Sequence, residues 1–303
     1  MTATVLPLHP TGELREKLAK IRFVFTDLDA TMLGKGGSVM VDADGNPSYA
    51  IPQVLVELKN AGVEVIPCSG RDRTMLREDC RIIGINAYVG EMGGLIMSDL
   101  HANEWQYYTA DMPFDPACGK NPHQVIEESG VIEEILKLWP GEIEPHNDMG
   151  MKNMWREVTV ALRGDVNDEK AREILASYNL ALSWDDNGLI SHISAPSTLV
   201  DQTPNKNRSL HIMPAGLTKG RGIDRMLQIK GGTRDEAIAL GDSPADFEMA
   251  SHVGMFVCME NGLAHEEARA KVEQTDNAVV SNGRTVDGWV AAMRSILEAK
   301  RNA

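Results

Sequence analysis

The 303-residue chain is short of basic side chains, with 30 Lys and Arg against 44 Asp and Glu, a formal charge of −14. A broad nucleic-acid face or an anionic-membrane face needs a basic stripe, and none is evident, so both partner classes are excluded. Small anionic ligands stay open, because one pocket can oppose the global charge. No run of apolar residues approaches the ~18 needed to span a bilayer. Met1–Pro10 has no basic residue ahead of an apolar run, and the expectation is a soluble, cytoplasmic protein. Cysteine is scarce: Cys68, Cys80, Cys118 and Cys258 show no CxxC or Cys/His ligand spacing, which predicts buried reduced thiols. Internal repeats and low-complexity tracts are absent. What remains is ordinary globular composition, 43% hydrophobic and 24% charged, with a length suited to two domains.

Ile21 to Phe25 is an apolar run that stops at Thr26-Asp27-Leu28-Asp29, predicting a buried strand that ends in a polar loop. Ile51, Val54, Leu55 and Leu58 recur at helical spacing, and Val63 to Ile66 predicts a second strand closed by Pro67-Cys68-Ser69-Gly70. Strand, helix, strand implies a right-handed crossover and a parallel sheet. The alternation returns late, with helices at 220–229, 245–251, 261–271 and about 286–299, and strands at 237–240, 253–258 and 278–280. Those strands are short and nearly all apolar, as strands covered on both faces are. The middle differs. It holds a helix near 123–138, a strand from Val158 to Leu162, a helix opened by Asn167-Asp168, and a hairpin in which Leu180 to Trp184 and Leu189 to Ile193 flank Asp186-Asn187-Gly188. The reading is α/β: a Rossmann-like parallel-sheet core divided into 1–99 and 211–303, with an α+β cap inserted at 100–210.

Ligands of open α/β sheets sit beyond the carboxyl ends of the strands. After the first strand comes Asp27-Leu28-Asp29-Ala30-Thr31; after the second, Ser69-Gly70-Arg71; after Ala237 to Leu240, Gly241-Asp242-Ser243-Pro244-Ala245-Asp246. Convergence of these loops on one sheet edge is an active-site layout. Magnesium takes oxygen ligands and keeps several waters, so two or three carboxylates suffice to hold it. Asp27, first off its strand, is the better nucleophile candidate, forming an aspartyl-phosphate. Asp29 could protonate the leaving alkoxide and then deprotonate water. Gly216-Leu217-Thr218-Lys219-Gly220 opens a helix with Thr218 as N-cap, placing Lys219 where free N–H groups already favour an anion. Ser69 and Gly70 could hold a phosphate oxygen.

Phe25-Thr26-Asp27-Leu28-Asp29-Ala30-Thr31 resembles the DxDGT motif of the haloacid dehalogenase-like phosphohydrolases. Ser69, Lys219 and Gly241-Asp242-Ser243-Pro244-Ala245-Asp246 resemble their second, third and fourth motifs, in family order. Glu91-Met92-Gly93-Gly94 is similar to the ENGG segment that precedes a large C2-type cap in the Cof-like subgroup. The resemblance implies a magnesium-dependent phosphatase of small phosphate esters. Asp27 is then the nucleophile and Asp29 the acid/base, with Ser69, Gly70 and Lys219 on the phosphate and Asp27, Asp29, Asp242 and Asp246 at the metal. The GDSPxD form and Gly93-Gly94-Leu95-Ile96 are most similar to mannosyl-3-phosphoglycerate phosphatases, which act on a phosphorylated sugar-acid conjugate. Two residues depart from the pattern: Ala30 replaces a glycine where the loop needs unusual dihedrals, and Ala245 replaces an asparagine.

In the cap, Lys152, Asn153, Arg156 and Glu157 form the most polar cluster, and Arg156 could pair with a substrate carboxylate. Arg71 and Asp72 border the phosphate serine. His146 and His211 are not required by this chemistry, and Lys206-Asn207-Arg208 reads as a solvated loop. The 16 methionines read as core filling or a soft cap surface. Two alternatives carry different expectations: a sugar phosphomutase would require an activated bisphosphorylated sugar, and a catalytically weak phosphate-ester-binding protein, suggested by Ala30 and Ala245, would bind without turnover.

Overall fold

The computed structural model describes residues 4–148, 151, 152, 155–190 and 192–303. The chain opens with α1 (Gly12–Ala19), β1 (Phe23–Thr26), α2 (Ala50–Asn60), β2 (Glu64–Pro67), α3 (Arg73–Ile83), β3 (Tyr88–Gly90), β4 (Leu95–Asp99) and β5 (Glu104–Tyr107). Its middle holds α4 (Pro122–Glu128), α5 (Val131–Leu138), β6 (Ile143–Pro145), β7 (Asn147–Asp148), β8 (Met151–Lys152), β9 (Val160–Gly164), α6 (Asp168–Ser177), β10 (Leu182–Leu189) and β11 (Arg208–Pro214). It closes with α7 (Lys219–Lys230), β12 (Ala237–Gly241), β13 (Met255–Cys258), α8 (Glu266–Gln274), β14 (Ala278–Val280) and α9 (Thr285–Arg301). Among the described residues no helix is long and apolar enough to cross a membrane. All four cysteines are free; Cys118, unlike the other three, is exposed.

Two compact units share the chain. The first comprises Met1–Gly70, Leu76–Trp105 and Thr218–Ala303. Its parallel sheet has the order β14-β13-β12-β1-β2, with Phe25 opposite both Ala239 and Ile66. The apolar runs of β1, β12 and β13 are buried throughout because both sheet faces are covered. Register aligns the strand ends, Thr26 with Leu240 and Pro67, and Gly241 with Cys258. Four loops therefore leave the sheet side by side. The predicted helix at 245–251 is a 3-10 helix, Pro244–His252, and that at 261–271 divides into a short 3-10 turn, Glu260–Ala264, and α8, because His265 is extended.

The second unit comprises Arg71–Met75 and Gln106–Leu217. Its antiparallel sheet has the order β10-β11-β9-β6. Val160 and Leu162 of β9 and Leu210 and Ile212 of β11 pack with Ile126, Ile135 and Ile174 of the helices. Three expectations are corrected here. Gly130, at φ 84, divides the expected 123–138 helix into α4 and α5. Asp186-Asn187-Gly188 is not a hairpin turn: it lies inside β10, where the register with β11 shifts between Asp186 and Leu189. The Gly188 N–H turns back to Asp186 Oδ1 at 2.9 Å, so the turn-forming triplet makes a bulge. Finally, residues 206–208 are only in part a solvated loop: Lys206 is exposed, and the two residues after it are not. Asn207 is buried with its amide donating to the Asp201 carbonyl, and Arg208 opens β11 held by Asp168 and Asp186. β11 lies between β9 and β10, so the second sheet is incomplete without residues 208–214.

Candidate active site

The first loop is fixed at its root. The Asp27 N–H donates to the Leu240 carbonyl at 2.9 Å, extending the β1–β12 ladder by one residue. Behind it, Trp289 Nε1 of α9 donates to Thr26 Oγ1 at 3.0 Å, and that hydroxyl donates to the Asp27 carbonyl at 2.7 Å. Ser69, at the end of β2, is buried with its N–H on the Val89 carbonyl.

α7 brings the cation. Thr218 is the N-cap, its hydroxyl accepting from the Arg221 N–H at 3.1 Å. Lys219 is the next residue. Close packing sets this turn: a Cβ on Gly93 (φ +105) would fall 2.1 Å from the Thr218 carbonyl oxygen, and one on Gly222 would fall 2.8 Å from Gly93 Cα. Glu91-Met92-Gly93-Gly94 therefore seats the first turn of α7. Lys219, only 8% exposed, reaches Asp27 Oδ1 at 2.8 Å and Asp246 Oδ1 at 2.7 Å. The second oxygen of Asp246, itself 1% exposed, accepts from the Asp242 and Ser243 N–H groups and from Ser243 Oγ at 2.7 Å.

These contacts decide the charge states. Burial raises Asp27 to about 7; the neighbouring carboxylates of Asp246 and Asp242 add to the rise, while Lys219 opposes it. Burial and then Asp246 raise Asp242 to about 6. For Asp246 burial also acts upward, but Lys219 and Ser243 outweigh it and hold the group below the usual carboxylate range. Burial alone would lower Lys219, and the two aspartates reverse the sign, keeping it an ammonium.

Three of the four loops carry polar motifs visible in the sequence; the fourth, after β13, completes the set. Asn261 Nδ2 donates to the Ala30 carbonyl at 3.1 Å and to Asp242 Oδ2 at 3.3 Å, and its Oδ1 accepts from the Thr285 N–H at 2.8 Å. Thr31 Oγ1 donates to the other Asp242 oxygen at 3.2 Å. The signal for Asn261 is its place just beyond the carboxyl end of an apolar parallel strand, the same position that marks the other three loops. Ala30 has φ 57, the left-handed conformation that the family glycine would adopt without cost.

Asp27, Asp242 and Asp246 present carboxylate oxygens within 4.8 Å of one another. Three carboxylates against one ammonium leave a net negative, all-oxygen donor set, which fits a hard divalent cation. Asp29 is exposed and lies outside that group of three. Gly70 is partly buried at the end of the first segment. Arg71 belongs with the second unit, as does Arg156, whose Nη1 donates to Thr159 Oγ1 at 2.8 Å. Of its polar cluster, Asn153 lies outside the described residues.

A family profile described as haloacid dehalogenase-like hydrolase matches residues 24–282, from within β1 to beyond β14. The chain belongs to this family. A phosphoglycolate phosphatase of Methanospirillum hungatei is 23% identical over 250 residues, 82% of this chain and 87% of its own length. One from Metallosphaera sedula is 24% identical over 242 residues, 80% and 86% of the two chains. The crystal structure of Thermoplasma acidophilum 0175 shares the fold, with a TM-score of 0.62 at 17% identity over 92% of this chain and 99% of that one.

Proposed function

We propose that the chain is a magnesium-dependent phosphatase of small, carboxylate-bearing phosphate monoesters, acting through an aspartyl-phosphate. The observation that carries this reading is the buried Lys219 bridge between Asp27 and Asp246. It holds the nucleophile's carboxylate in place and leaves a cation beside the position where phosphate charge develops. Two resemblances meet in the substrate class. Mannosyl-3-phosphoglycerate, suggested by the GDSPxD and GGLI segments, and phosphoglycolate, named for the two relatives, are both phosphorylated compounds carrying a carboxylate.

In the first step an Asp27 oxygen attacks phosphorus, the bond from phosphorus to the ester oxygen breaks, and that oxygen takes a proton from Asp29. In the second, Asp29 accepts a proton from water as the water oxygen attacks phosphorus, releasing inorganic phosphate and regenerating the Asp27 carboxylate. Lys219 stabilises the phosphoryl oxygens in both steps, with Ser69 and the Gly70 N–H as further donors. Asp27 and Asp242 would hold the magnesium ion, with Asp246 shaping their loop. The ion supplies charge neutralisation between the nucleophile and the phosphate. The polar residues of the inserted cap, 100–210 with β11 added, supply substrate recognition, Arg71 and Arg156 among them.

A magnesium-dependent phosphate-release screen over phosphoglycolate, phosphoglycerates, mannosyl-3-phosphoglycerate and sugar phosphates tests the proposal, with Asp27→Asn as control. Release from carboxylate-bearing esters, abolished by the substitution and by chelator, is the expected result. Equal release by parent and variant would remove Asp27 from the mechanism.

A further inference from the structure

The second unit has a sheet face that its helices do not use. Val160, Leu162, Leu210 and Ile212 point into the helix-packed core, so by strand alternation Ala161 and His211 point to the opposite face. Ala161 stands opposite His211 in the β9–β11 ladder, and the His146 N–H donates to the Ala161 carbonyl at 2.9 Å, continuing the β6–β9 ladder. His146, Ala161 and His211 thus form one cross-strand row. With neighbouring strands about 4.8 Å apart, the two histidine backbones stand roughly 10 Å from each other across a methyl side chain. Between the two imidazole-bearing residues the row carries only the methyl side chain of Ala161, itself buried.

Three further observations give that row a sign. Two residues before Ala161, Thr159 is buried and its hydroxyl accepts from Arg156 Nη1 at 2.8 Å, which brings a guanidinium to the row. The carboxylate next to it in sequence, Glu157, is already engaged by Arg73 at 2.5 Å and by the Tyr107 hydroxyl at 2.7 Å. His211 is 2% exposed, yet its Nδ1 has no hydrogen-bond partner. A buried imidazole nitrogen left without a partner is costly and calls for one. Burial, followed by the charges of Arg156 and His146, holds His211 well below the usual histidine range. The row ends on the far side of His211 at Asp185, its partner in β10, so an anion is favoured over Ala161 and disfavoured over β10.

We infer that His146, His211 and Arg156, arranged around Ala161, form a carboxylate-binding site whose ligand is a small hydroxy acid of the glycolate or glycerate class, free or as its phosphate ester. The ester half of this inference rests on the phosphatase reading; the free acid does not. Arg156 supplies a planar pair of donors matched to a carboxylate, and the neutral His211 supplies a hydrogen bond. The other cationic loop, at Lys219, suits phosphate and belongs to a different unit.

The test uses the full chain carrying Asp27→Asn, in chelator so that no ester is consumed. Calorimetry compares 2-phosphoglycolate with ethyl phosphate, an ester of similar size without a carboxylate, and adds glycolate and inorganic phosphate as separate probes. Phosphoglycolate is expected to bind at least about tenfold more tightly than ethyl phosphate, and Arg156→Gln and His211→Gln each to erase most of that difference. Should either variant fail to fold, the imidazole nitrogen resonances of His211 in the unsubstituted site serve instead: glycolate is expected to shift them and inorganic phosphate to leave them in place. Equal affinity for the two esters, or His211 resonances that ignore glycolate, would overturn the site. Glycolate binding at His211 in a protein that releases no phosphate from any ester would sink the phosphatase reading and leave the site standing.

Discussion

Asn261 holds Ala30 by its carbonyl: the side-chain amide of one, on the loop after β13, donates at 3.1 Å to the backbone of the other, on the loop after β1. The same amide touches Asp242, so one side chain ties the loop after β1 to the loop after β12. Ala30 sits there at φ 57, a conformation costing an L-residue with a Cβ about 1 kcal/mol. Ala30→Gly is expected to stabilise the protein by about that amount in chemical denaturation. Asn261→Ala is expected to lower kcat/KM for a phosphate ester about tenfold, and Ala30→Gly in the same chain to restore part of the loss. Strict additivity of the two substitutions in a double-mutant cycle would show that the contact does not couple them.

Lys219→Met removes the cation from between two aspartates. Breaking a buried ion pair from one side costs about 3–5 kcal/mol, because the partner charges stay behind. The expected result is loss of phosphate release together with a stability deficit that narrows below pH 6, where Asp27 and Asp242, raised to about 7 and about 6, take up protons. A deficit that stays constant from pH 5 to pH 8 would contradict the arrangement of charges.

The same two raised values set the pH dependence of metal binding. Between their unfolded values near 4 and their folded values, Asp27 and Asp242 carry more protons folded than unfolded, so their contribution to metal-free stability falls as pH rises through about 4 to 7. A divalent cation must displace those protons. Magnesium affinity, measured calorimetrically, is expected to rise between pH 5 and 8 by about tenfold per pH unit for each proton released, and the stability gained on adding magnesium to be larger at pH 8 than at pH 5. Affinity independent of pH would mean that neither carboxylate is a ligand.

Gly93→Ala places a methyl where the Thr218 carbonyl already stands, 2.1 Å from the new atom, on a residue at φ +105. The first turn of α7 must then move and Lys219 with it. A stability loss of about 1–3 kcal/mol and a fall in kcat exceeding the change in KM are expected. Unchanged kinetics would show that this packing does not position Lys219.

Much of the core is legible in the sequence because its signals are local. The apolar run into Asp27, the Ser69 loop, the Thr218 N-cap and the Asp242 loop each stand next to the element that places them, and parallel strands impose one exit edge. Asn261 is harder to find because its value lies in whom it meets, Ala30 and Asp242, which are far away in sequence. The second unit is difficult for a different reason. Asp186-Asn187-Gly188 has the chemistry of a hairpin turn, and pairing with β11 overrides it, turning local preference into a bulge. Arg208 and Asn207 look like surface residues, and contacts with Asp168, Asp186 and the Val166 and Asp201 carbonyls draw them inward.

The hydrogen bond from Trp289 to Thr26 spans 263 residues, and that separation has a consequence for synthesis. At about 5–20 residues per second, roughly 13–50 s pass between the emergence of β1 and that of the tryptophan that secures its end. For most of that interval β1 lacks β12 on its other edge, and for all of it β1 lacks α9 against its tip, while the middle of the chain can complete its own sheet. The loop that carries Asp27 is therefore among the last parts of the nascent protein to become rigid. A ribosome-stalled chain ending before β12 would present β1 as an open strand edge.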